Sequence, residues 1–293
     1  MKILFSLIFL ASSLPAFSAE PVPTLSRAQS QRVQIHPIAG KSGLYVIPGF
    51  DGNLSGGNVA VLVTDAGVLI VDDKFSYSHQ DIIRQIATVT SQPVRYVLNT
   101  HHHFDHAGSN ADFMPTAQII GHRNVLTNML RNQQAGPPQI LFDQRTSVLL
   151  GGREVQAYHF GRGHTNGDSI VFFPDLGVVH TGDLFIWGDR LDGSTLAPFI
   201  DYDNGGSAAE WTATLDQLLA LRFDTVIPGH GPILRKADVR VFRSKFDRML
   251  TRISVLIDQG VGRDAIVDEL DISDLNWPLA PERIQAIYDE LRQ

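Results

Sequence analysis

The stretch "THHHFDHAGS" (Thr100–Ser109) holds four of the chain's eleven histidines and one aspartate within ten residues. It follows "VRYVLNT", whose β-branched and aromatic content predicts a strand. In an extended segment, side chains two residues apart point to the same side. We therefore expect His101 and His103 to converge on one ion while His102 points elsewhere. The small residues "AGS" at the end predict a tight turn into a helix.

Polar residues further along the chain offer partners for this cluster. Imidazole nitrogens and carboxylate oxygens both suit zinc. The chain has no cysteine, so His, Asp or Glu must hold any metal. Each candidate stands among glycines beside a predicted strand, and we expect their loops to gather at one edge of the fold. The candidates are His164 in "GRGHTNGDS", Asp183 in "HTGDLF" and His230 in "IPGHGP".

These four blocks, in this order, resemble the metallo-β-lactamase superfamily, whose signature is H-x-H-x-D-H followed by single ligands on later loops. The resemblance runs from about Leu44 to Ile233. It implies two zinc ions, with iron or manganese as alternative metals. The implied ligands of the first ion are His101, His103 and His164; those of the second are Asp105, His106 and His230; Asp183 would bridge the two ions.

The implied activity is that of a metallo-hydrolase acting on a small molecule. Two cations lower the pKa of a bridging water, and the resulting hydroxide attacks a carbonyl group. Asp105 would orient this nucleophile. The block around His164 resembles secreted β-lactamases. Several β-lactamase groups, however, have cysteine where this chain has Asp183, and aspartate there resembles lactonases, thioesterases and glyoxalase II-like enzymes. The substrate class therefore stays open among β-lactams, lactones and thioesters.

Two other functions fit the same residues. Some members of the superfamily are iron-dependent oxidoreductases such as persulfide dioxygenases, since two histidines and one carboxylate also suit iron. The other alternative is an exported zinc-binding protein without catalytic activity, in which the metal only stabilises the fold. Metal analysis of protein purified without added zinc would distinguish the first alternative, and the absence of any turnover would indicate the second.

The remaining pattern predicts one α/β domain over residues 32–293. Each half of it has short Val- and Ile-rich runs first and helices after them. We therefore expect a four-layer αββα sandwich, with two mixed β-sheets face to face and helices outside. Helical spacing is found in "HQDIIRQIATVT", in "SAAEWTATLDQLLAL" after a capping box of Ser207 and Glu210, between Ala237 and Ile257, and from Pro281 onward.

The first residues and the net charge bear on location and partners. Residues 1–18 have a short apolar run followed by small residues, which predicts a signal peptide cleaved after Ser18. Residues 19–31 are expected to form a loose arm. We therefore expect a secreted or periplasmic protein that is not held in a membrane after cleavage. A net charge of -7 argues against nucleic-acid partners. The oligomeric state is not indicated.

Aromatic and basic residues outside the motifs suggest further roles. In the long loop after Asp183, we expect Trp187, Phe199 and Tyr202 to line a substrate pocket, with core packing as the alternative. The glycine-rich segment 48–58 is either a flap over the site or an ordinary connection between strands. The basic helix over residues 235–252 is interpreted as a solvated face, with an anionic partner as the alternative.

The histidines outside the motifs have simpler interpretations. His122 and His159 are expected to be packed or hydrogen-bonded, because most polar groups near a core are satisfied in this way. His180 lies close to Asp183 in sequence, and we expect it to support the site without binding metal. His36 and His79 are expected at the surface.

Overall fold

A computed structural model describes residues 33–49, 55–190 and 192–293. The predicted signal peptide and loose arm lie outside these described residues, as do residues 50–54 of the predicted flap. The strands in the described ranges are β1 His36–Pro37, β2 Leu44–Ile47, β3 Val59–Thr64, β4 Gly67–Val71, β5 Val94–Leu98, β6 Gln118–His122, β7 Ile140–Phe142, β8 Arg145–Leu150, β9 Arg153–Tyr158, β10 Ile170–Phe173, β11 Val178–His180, β12 Thr225–Ile227 and β13 Leu234–Arg235. The α-helices there are α1 His79–Ala87, α2 Phe104–Ala107, α3 Asn110–Phe113, α4 Arg123–Arg131, α5 Ala208–Ala220, α6 Lys236–Asp258, α7 Ile266–Glu269 and α8 Pro281–Leu291. Short 3-10 helices lie at Ser76–Ser78, Pro174–Leu176, Gly182–Leu184, Tyr202–Asn204 and Ser273–Leu275.

The strands form two mixed β-sheets. The first sheet has the order β1-β2-β3-β4-β5-β6-β7, and the second has the order β13-β12-β11-β10-β9-β8. In the first sheet β4, β5, β6 and β7 pair in parallel, whereas the pairs from β1 to β4 are antiparallel. The second sheet is antiparallel except for the parallel pair β11 and β12. Both sheets are therefore mixed, as the sequence predicts.

Three apolar layers hold these elements together. The central layer lies between the sheets and joins side chains such as Leu69 of the first sheet to Val171 of the second. Outside the first sheet, Ile82 of α1 packs on its outer face. Outside the second sheet, Trp211 of α5 and Phe242 of α6 form the largest cluster. Each fully buried side chain of this size stabilises the fold by roughly 1.5–3 kcal/mol. The predicted αββα sandwich is confirmed.

Local sequence signals explain one hairpin turn and the starts of two helices. Thr64 pairs with Gly67 across the hairpin turn between β3 and β4. Ser207 caps α5 by accepting a hydrogen bond from the Glu210 backbone N–H, at 3.1 Å. The Glu210 carboxylate pairs with Arg162 instead of closing the predicted capping box. Pro281 occupies the first turn of α8, as predicted. None of the helices in the described part of the chain has the length and apolar character needed to cross a membrane.

The histidine-rich stretch departs from its predicted secondary structure. The sequence predicted a turn into a helix after Ser109, but α2 already begins at Phe104. The helix starts early because the His103 carbonyl accepts hydrogen bonds from the N–H groups of His106 and Ala107. His103 therefore directly precedes the helix with φ -59° and ψ 147°, whereas Asp105 and His106 project from a helical turn. This change of backbone separates the two pairs of side chains in space.

Candidate metal centre

The first group of candidate ligands is formed by His101, His103 and His164. One ring nitrogen of each lies within 4.8 Å of the others. His164 Nε2 is 2.9 Å from His103 Nδ1. His101 Nε2 is buried and has no hydrogen-bond partner among the described residues. Because a buried polar atom without a partner costs about 1–3 kcal/mol, this nitrogen fits a position that an ion completes.

The other nitrogen of each of these three rings is held in place. An imidazole that binds metal usually has its second nitrogen hydrogen-bonded, which fixes the ring orientation and tautomer. Here the partners are Thr100 Oγ1 for His101 Nδ1 at 3.1 Å, Asp201 Oδ2 for His103 Nε2 at 2.7 Å, and the Phe199 carbonyl for His164 Nδ1 at 2.6 Å. The rings are therefore fixed with one nitrogen each directed at a common point.

The second group consists of Asp105, His106 and His230. His230 Nε2 lies 3.1 Å from Asp105 Oδ2 and 3.2 Å from His106 Nε2. All three side chains are buried. The outer nitrogen of His106, Nδ1, lies 2.8 Å from Asp72 Oδ2. This group therefore has two imidazole nitrogens and a carboxylate oxygen close together, a donor set that suits zinc.

The Asp183 carboxylate lies between the two groups. Its Oδ1 is 3.2 Å from His106 Nε2 and 3.3 Å from His230 Nε2. Its Oδ2 is 3.8 Å from His164 Nε2, in the first group. The approach of Gly229 to Asp183 is so close that a Cβ atom at Gly229 would lie 1.9 Å from Asp183 Oδ1. Each oxygen therefore faces a different set of candidate ligands.

The charges of these side chains influence one another strongly. Burial, and then the neighbouring histidines, lowers the pKa of His101 well below its usual range. Burial likewise lowers the pKa of His164 to about 4. At His230 burial acts in the same direction, but the carboxylates of Asp183 and Asp105 outweigh it and raise the pKa to about 9. Burial opposes ionisation of Asp183, yet His230 and His106 keep the pKa of this carboxyl well below its usual range.

The loops that carry these residues and Asp72 meet at one edge of the sandwich. In the first sheet, β4 and β5 are parallel neighbours, so the loops that follow them, with Asp72 and His101, start side by side. In the second sheet, β11 and β12 are also parallel, and Asp183 and His230 follow them. β10 runs antiparallel to β11, so the loop leading into it, which carries His164, ends at the same edge.

His102 is turned away from both groups. It is buried, and neither ring nitrogen has a hydrogen-bond partner among the described residues. Its Nε2 is 4.0 Å from Asp201 Oδ2. His102, His103 and Asp201 also form a set close enough to hold an ion. In that set, however, His103 Nε2 and Asp201 already bond to each other at 2.7 Å, which leaves few free ligand atoms.

Of the three aromatic residues expected around a substrate pocket, two share a cavity and the third lies apart from them. The Phe199 ring lies closest to the candidate ligands, with its centroid 5.6 Å from the His164 ring. Trp187 reaches the site only through its backbone N–H, which donates to the His230 carbonyl at 3.1 Å. The Tyr202 hydroxyl donates to Glu290 of α8 at 2.9 Å. Phe199 and Tyr202 line the same cavity beside α8, whereas Trp187 lines a different one.

The remaining histidines mostly lie where the sequence predicts. His122 and His159 stack with ring centroids 4.0 Å apart, and they donate hydrogen bonds to the backbone carbonyls of Asp143 and Asp168, respectively. His180 Nε2 is 3.0 Å from the Asn58 carbonyl. His36 is exposed. The surface prediction for His79 is wrong, because its ring is partly buried edge-on against Phe113 at 4.4 Å.

The glycine-rich segment 48–58 is tied to the site at both ends. The Gly57 N–H donates to the Asp105 carbonyl at 2.9 Å. The buried ammonium of Lys74 donates to the carbonyls of Pro48 and Gly57, at 2.9 and 2.6 Å. The Asn58 side chain donates to the Pro228 carbonyl at 2.8 Å, next to the His230 loop. These contacts place the described parts of the segment beside the second group.

Two acidic residues that position the candidate ligands were not predicted from the sequence. Asp72 accepts from the Thr100 N–H and Oγ1 and contacts His106, and Asp201 contacts His103. Asp72 had a usable signal, because it directly follows the apolar run "GVLIV" of β4. Asp201 had no such sequence signal, because the loop around it contains several other acidic residues and nothing in the sequence distinguishes it from them.

Comparisons with known proteins agree with this geometry. A sequence model described as the metallo-beta-lactamase superfamily matches residues 52–230. A metallo-beta-lactamase type 2 of Elizabethkingia meningoseptica is 28% identical over 160 residues, covering 52% of this chain and 63% of that protein. The 2,4-dinitroanisole O-demethylase subunit alpha of a Nocardioides species is 26% identical over 172 residues, covering 57% and 50%. The chain thus spans half to under two thirds of the length of these two relatives.

Solved structures show the same fold. A metallo-beta-lactamase from Pontibacter korlensis superposes with a TM-score of 0.62 at 18% identity, covering 73% of this chain and 98% of that one. The metallo-beta-lactamase IND-7 superposes with a TM-score of 0.61 at 23% identity, covering 73% and 97%.

Proposed function

Because the chain belongs to the metallo-β-lactamase superfamily, we propose that it is a zinc-dependent hydrolase that cleaves an acyl bond of a small carbonyl substrate. The observation that carries this proposal is the position of the Asp183 carboxylate. One of its oxygens faces His106 and His230, and the other faces His164. A carboxylate shared in this way suits two metal ions close together, which is the arrangement of many hydrolytic two-metal sites.

We propose that one ion is held by His101, His103 and His164 and the other by Asp105, His106 and His230, with Asp183 as the shared ligand. The unpartnered buried nitrogen of His101 supports this assignment, as do the anchored outer nitrogens of its neighbours. When bound, two such cations lower the pKa of a water molecule toward neutrality and polarise a carbonyl group. Each ion would then have three protein ligands of its own and share Asp183, and zinc can add a fifth ligand such as water.

The protein's own residues supply orientation. Asp201 and the Phe199 carbonyl fix the rings of His103 and His164, and Asp72 fixes His106. Asp105 has one oxygen 3.1 Å from His230 Nε2, within the second group. We propose that its carboxylate accepts a hydrogen bond from the attacking water and so directs that water at the carbonyl carbon. Held in this way, the reacting groups lose little further entropy on the way to the transition state.

The proposed substrates are β-lactams, lactones and thioesters. The relatives from Elizabethkingia and other bacteria named as metallo-β-lactamases support the first class. The aspartate at position 183 supports the other two, because a hard carboxylate binds both ions whereas a thiolate prefers one softer contact. All three classes share an activated carbonyl that a nearby hydroxide attacks.

A substrate panel on the zinc-loaded mature chain tests this function. We expect nitrocefin, an acyl-homoserine lactone or a short acyl thioester to be hydrolysed, and chelation to abolish the turnover. His36→Ala removes an exposed histidine and is the matched control for metal-site variants. A single iron per chain in protein purified without added zinc, together with oxygen consumption, would contradict the hydrolase. The absence of turnover despite two bound zinc ions would favour a non-catalytic zinc protein.

We also propose that the protein is exported and that its mature chain begins at Ala19. The N-terminal sequence supports this, and N-terminal sequencing of protein isolated from the producing cell tests it. A start at Met1 would contradict the proposal.

A further inference from the structure

The last helix, α8, brings a cationic side chain against Phe199, whose ring lies beside His164 of the candidate metal centre. Helix α8 lies well beyond residues 52–230, which carry the family match. The guanidinium carbon of Arg283 in α8 lies 4.7 Å from the centroid of the Phe199 ring. Arg283 is partly buried, and Phe199 is 40% exposed. Together they present a charged group and an aromatic face to solvent.

Phe199 connects Arg283 to the candidate ligands. Its carbonyl holds His164, and its ring lies roughly parallel to the His103 ring with centroids 6.3 Å apart. The guanidinium carbon of Arg283 lies 4.7 Å from the Phe199 centroid, which is 6.3 Å from the His103 centroid. The distance from the guanidinium carbon to the His103 ring is therefore at most the sum of these two values. A small molecule is long enough to contact both the metal centre and Arg283.

Within the described ranges the guanidinium of Arg283 forms neither a hydrogen bond nor an ion pair, and it lies over the Phe199 ring. Burial, and then the charge of nearby Arg190, lowers the pKa of its guanidinium. The described acidic residues near Arg283 form no ion pair with its guanidinium. Asp201 bonds to His103 and Asn204, and Asp203 and Glu282 are exposed. A half-buried cation without an acceptor gains strongly from a bound anion.

Other contacts fix the position of α8 against the long loop. The Glu290 carboxylate accepts hydrogen bonds from the Tyr202 hydroxyl at 2.9 Å, from Ser207 Oγ at 2.5 Å and from the Ala208 N–H at 2.8 Å. A cavity of about 200 Å³ lies between the loop and the helix, with Phe199 and Arg283 in its lining. Because the helix is anchored, little ordering is needed when Arg283 binds a ligand.

We propose that Arg283 binds a carboxylate of the substrate, so that the substrate carries an acidic group several bonds away from the carbonyl that is cleaved. The Phe199 ring would pack against the chain between the two groups. This inference rests on the proposed function and narrows its substrate class. A guanidinium suits the task because its two parallel N–H groups match the two oxygens of a carboxylate.

Matched substrates test the proposal. They are nitrocefin and the adipoyl thioester of N-acetylcysteamine, each compared with its methyl ester. In the zinc-loaded enzyme we expect at least one acid to be hydrolysed with a higher kcat/KM than its neutral ester. Arg283→Ala should lower kcat/KM for that acid about tenfold to a hundredfold, mainly through KM, the range expected for a lost charge-assisted hydrogen bond. The ester should change less than twofold, and Arg283→Lys should restore part of the loss.

The control variant is Arg292→Ala, which removes an exposed arginine from the end of the same helix. It should leave both substrates unaffected. Equal losses for acid and ester in Arg283→Ala, or no preference for any acid in the wild type, would overturn the proposal. If no compound is hydrolysed, calorimetric titration of the zinc-loaded protein with adipate separates the two questions. Binding that is weakened tenfold in Arg283→Ala and unchanged in Arg292→Ala supports the anion site without the hydrolase, and any other result overturns it.

Discussion

A methyl group added at Gly229 tests whether the proposed centre depends on the position of Asp183. The Cβ atom of Gly229→Ala would lie 1.9 Å from Asp183 Oδ1, 2.6 Å from the Gly182 carbonyl carbon and 2.8 Å from the Asp183 nitrogen. Separations below 3.0 Å essentially never occur for real Cβ atoms. The carboxylate therefore has to retreat by about 1 Å or more, because the backbone atoms on the other side cannot yield easily.

The size of the effect follows from this displacement. Overpacking a buried position costs about 1–3 kcal/mol, which for a domain of this size is roughly 2–10 °C in Tm. A misplacement of about 1 Å in a catalytic group costs on the order of a hundredfold in rate. We therefore expect Gly229→Ala to lose at least half of its bound metal while the fold persists. Mass-spectrometric metal analysis and calorimetric Tm measure both quantities on one sample.

Gly262→Ala is the matched control, because its new Cβ atom has no heavy atom within 4 Å and no left-handed backbone is required there. It should retain the full metal content and a Tm close to that of the wild type. If Gly229→Ala also retained two metal equivalents per chain and full turnover, the position assigned to Asp183 between the two groups would be wrong.

Three further predictions follow from individual residues. Asp183→Ala should lower the metal content and reduce hydrolysis by a hundredfold or more, as measured against His36→Ala; unchanged turnover would refute its bridging role. His102→Ala should leave the metal content unchanged and lower only Tm, because its ring nitrogens contact neither group of ligands; loss of one metal equivalent would show that His102 is a ligand. Burial raises the pKa of Asp168 to about 7, so ionising it in the folded state costs about 4 kcal/mol. Because the unfolded state loses this proton near pH 4, stability should fall as the pH rises from 4 to 7 and then level off. Asp168→Asn should remove that part of the slope in chemical unfolding at several pH values, and parallel profiles for the two proteins would contradict the assignment.

The sequence could predict the parts of the site that depend on local backbone. The two-residue spacing of His101 and His103 predicts a common direction, and their ligand atoms do lie within 4.8 Å of each other. The glycines around His164 and His230 signalled loops that approach closely. The helical turn at Asp105 and His106 was missed because "HFDHAG" contains no strong helix signal, and its hydrogen bonds to the His103 carbonyl depend on tertiary packing.

Contacts between distant segments could not be predicted in the same way. Asp72 reaches His106 only because β4 and β5 are parallel neighbours in the sheet. Asp201 reaches His103 across 98 residues from within a long irregular loop. Arg283 reaches Phe199 because Glu290 anchors α8 to that loop. The sequence shows these acidic and basic residues, but their partners are set by sheet register and helix packing.

Anomalous X-ray diffraction at the zinc absorption edge, on crystals of the zinc-loaded protein, tests the central claim most directly. We expect two peaks in each chain. One should lie within bonding distance of His101 Nε2, His103 Nδ1 and His164 Nε2, and the other beside Asp105, His106 and His230, with one oxygen of Asp183 directed at each. A single peak, or a peak between His102 and Asp201, would contradict the two-metal centre.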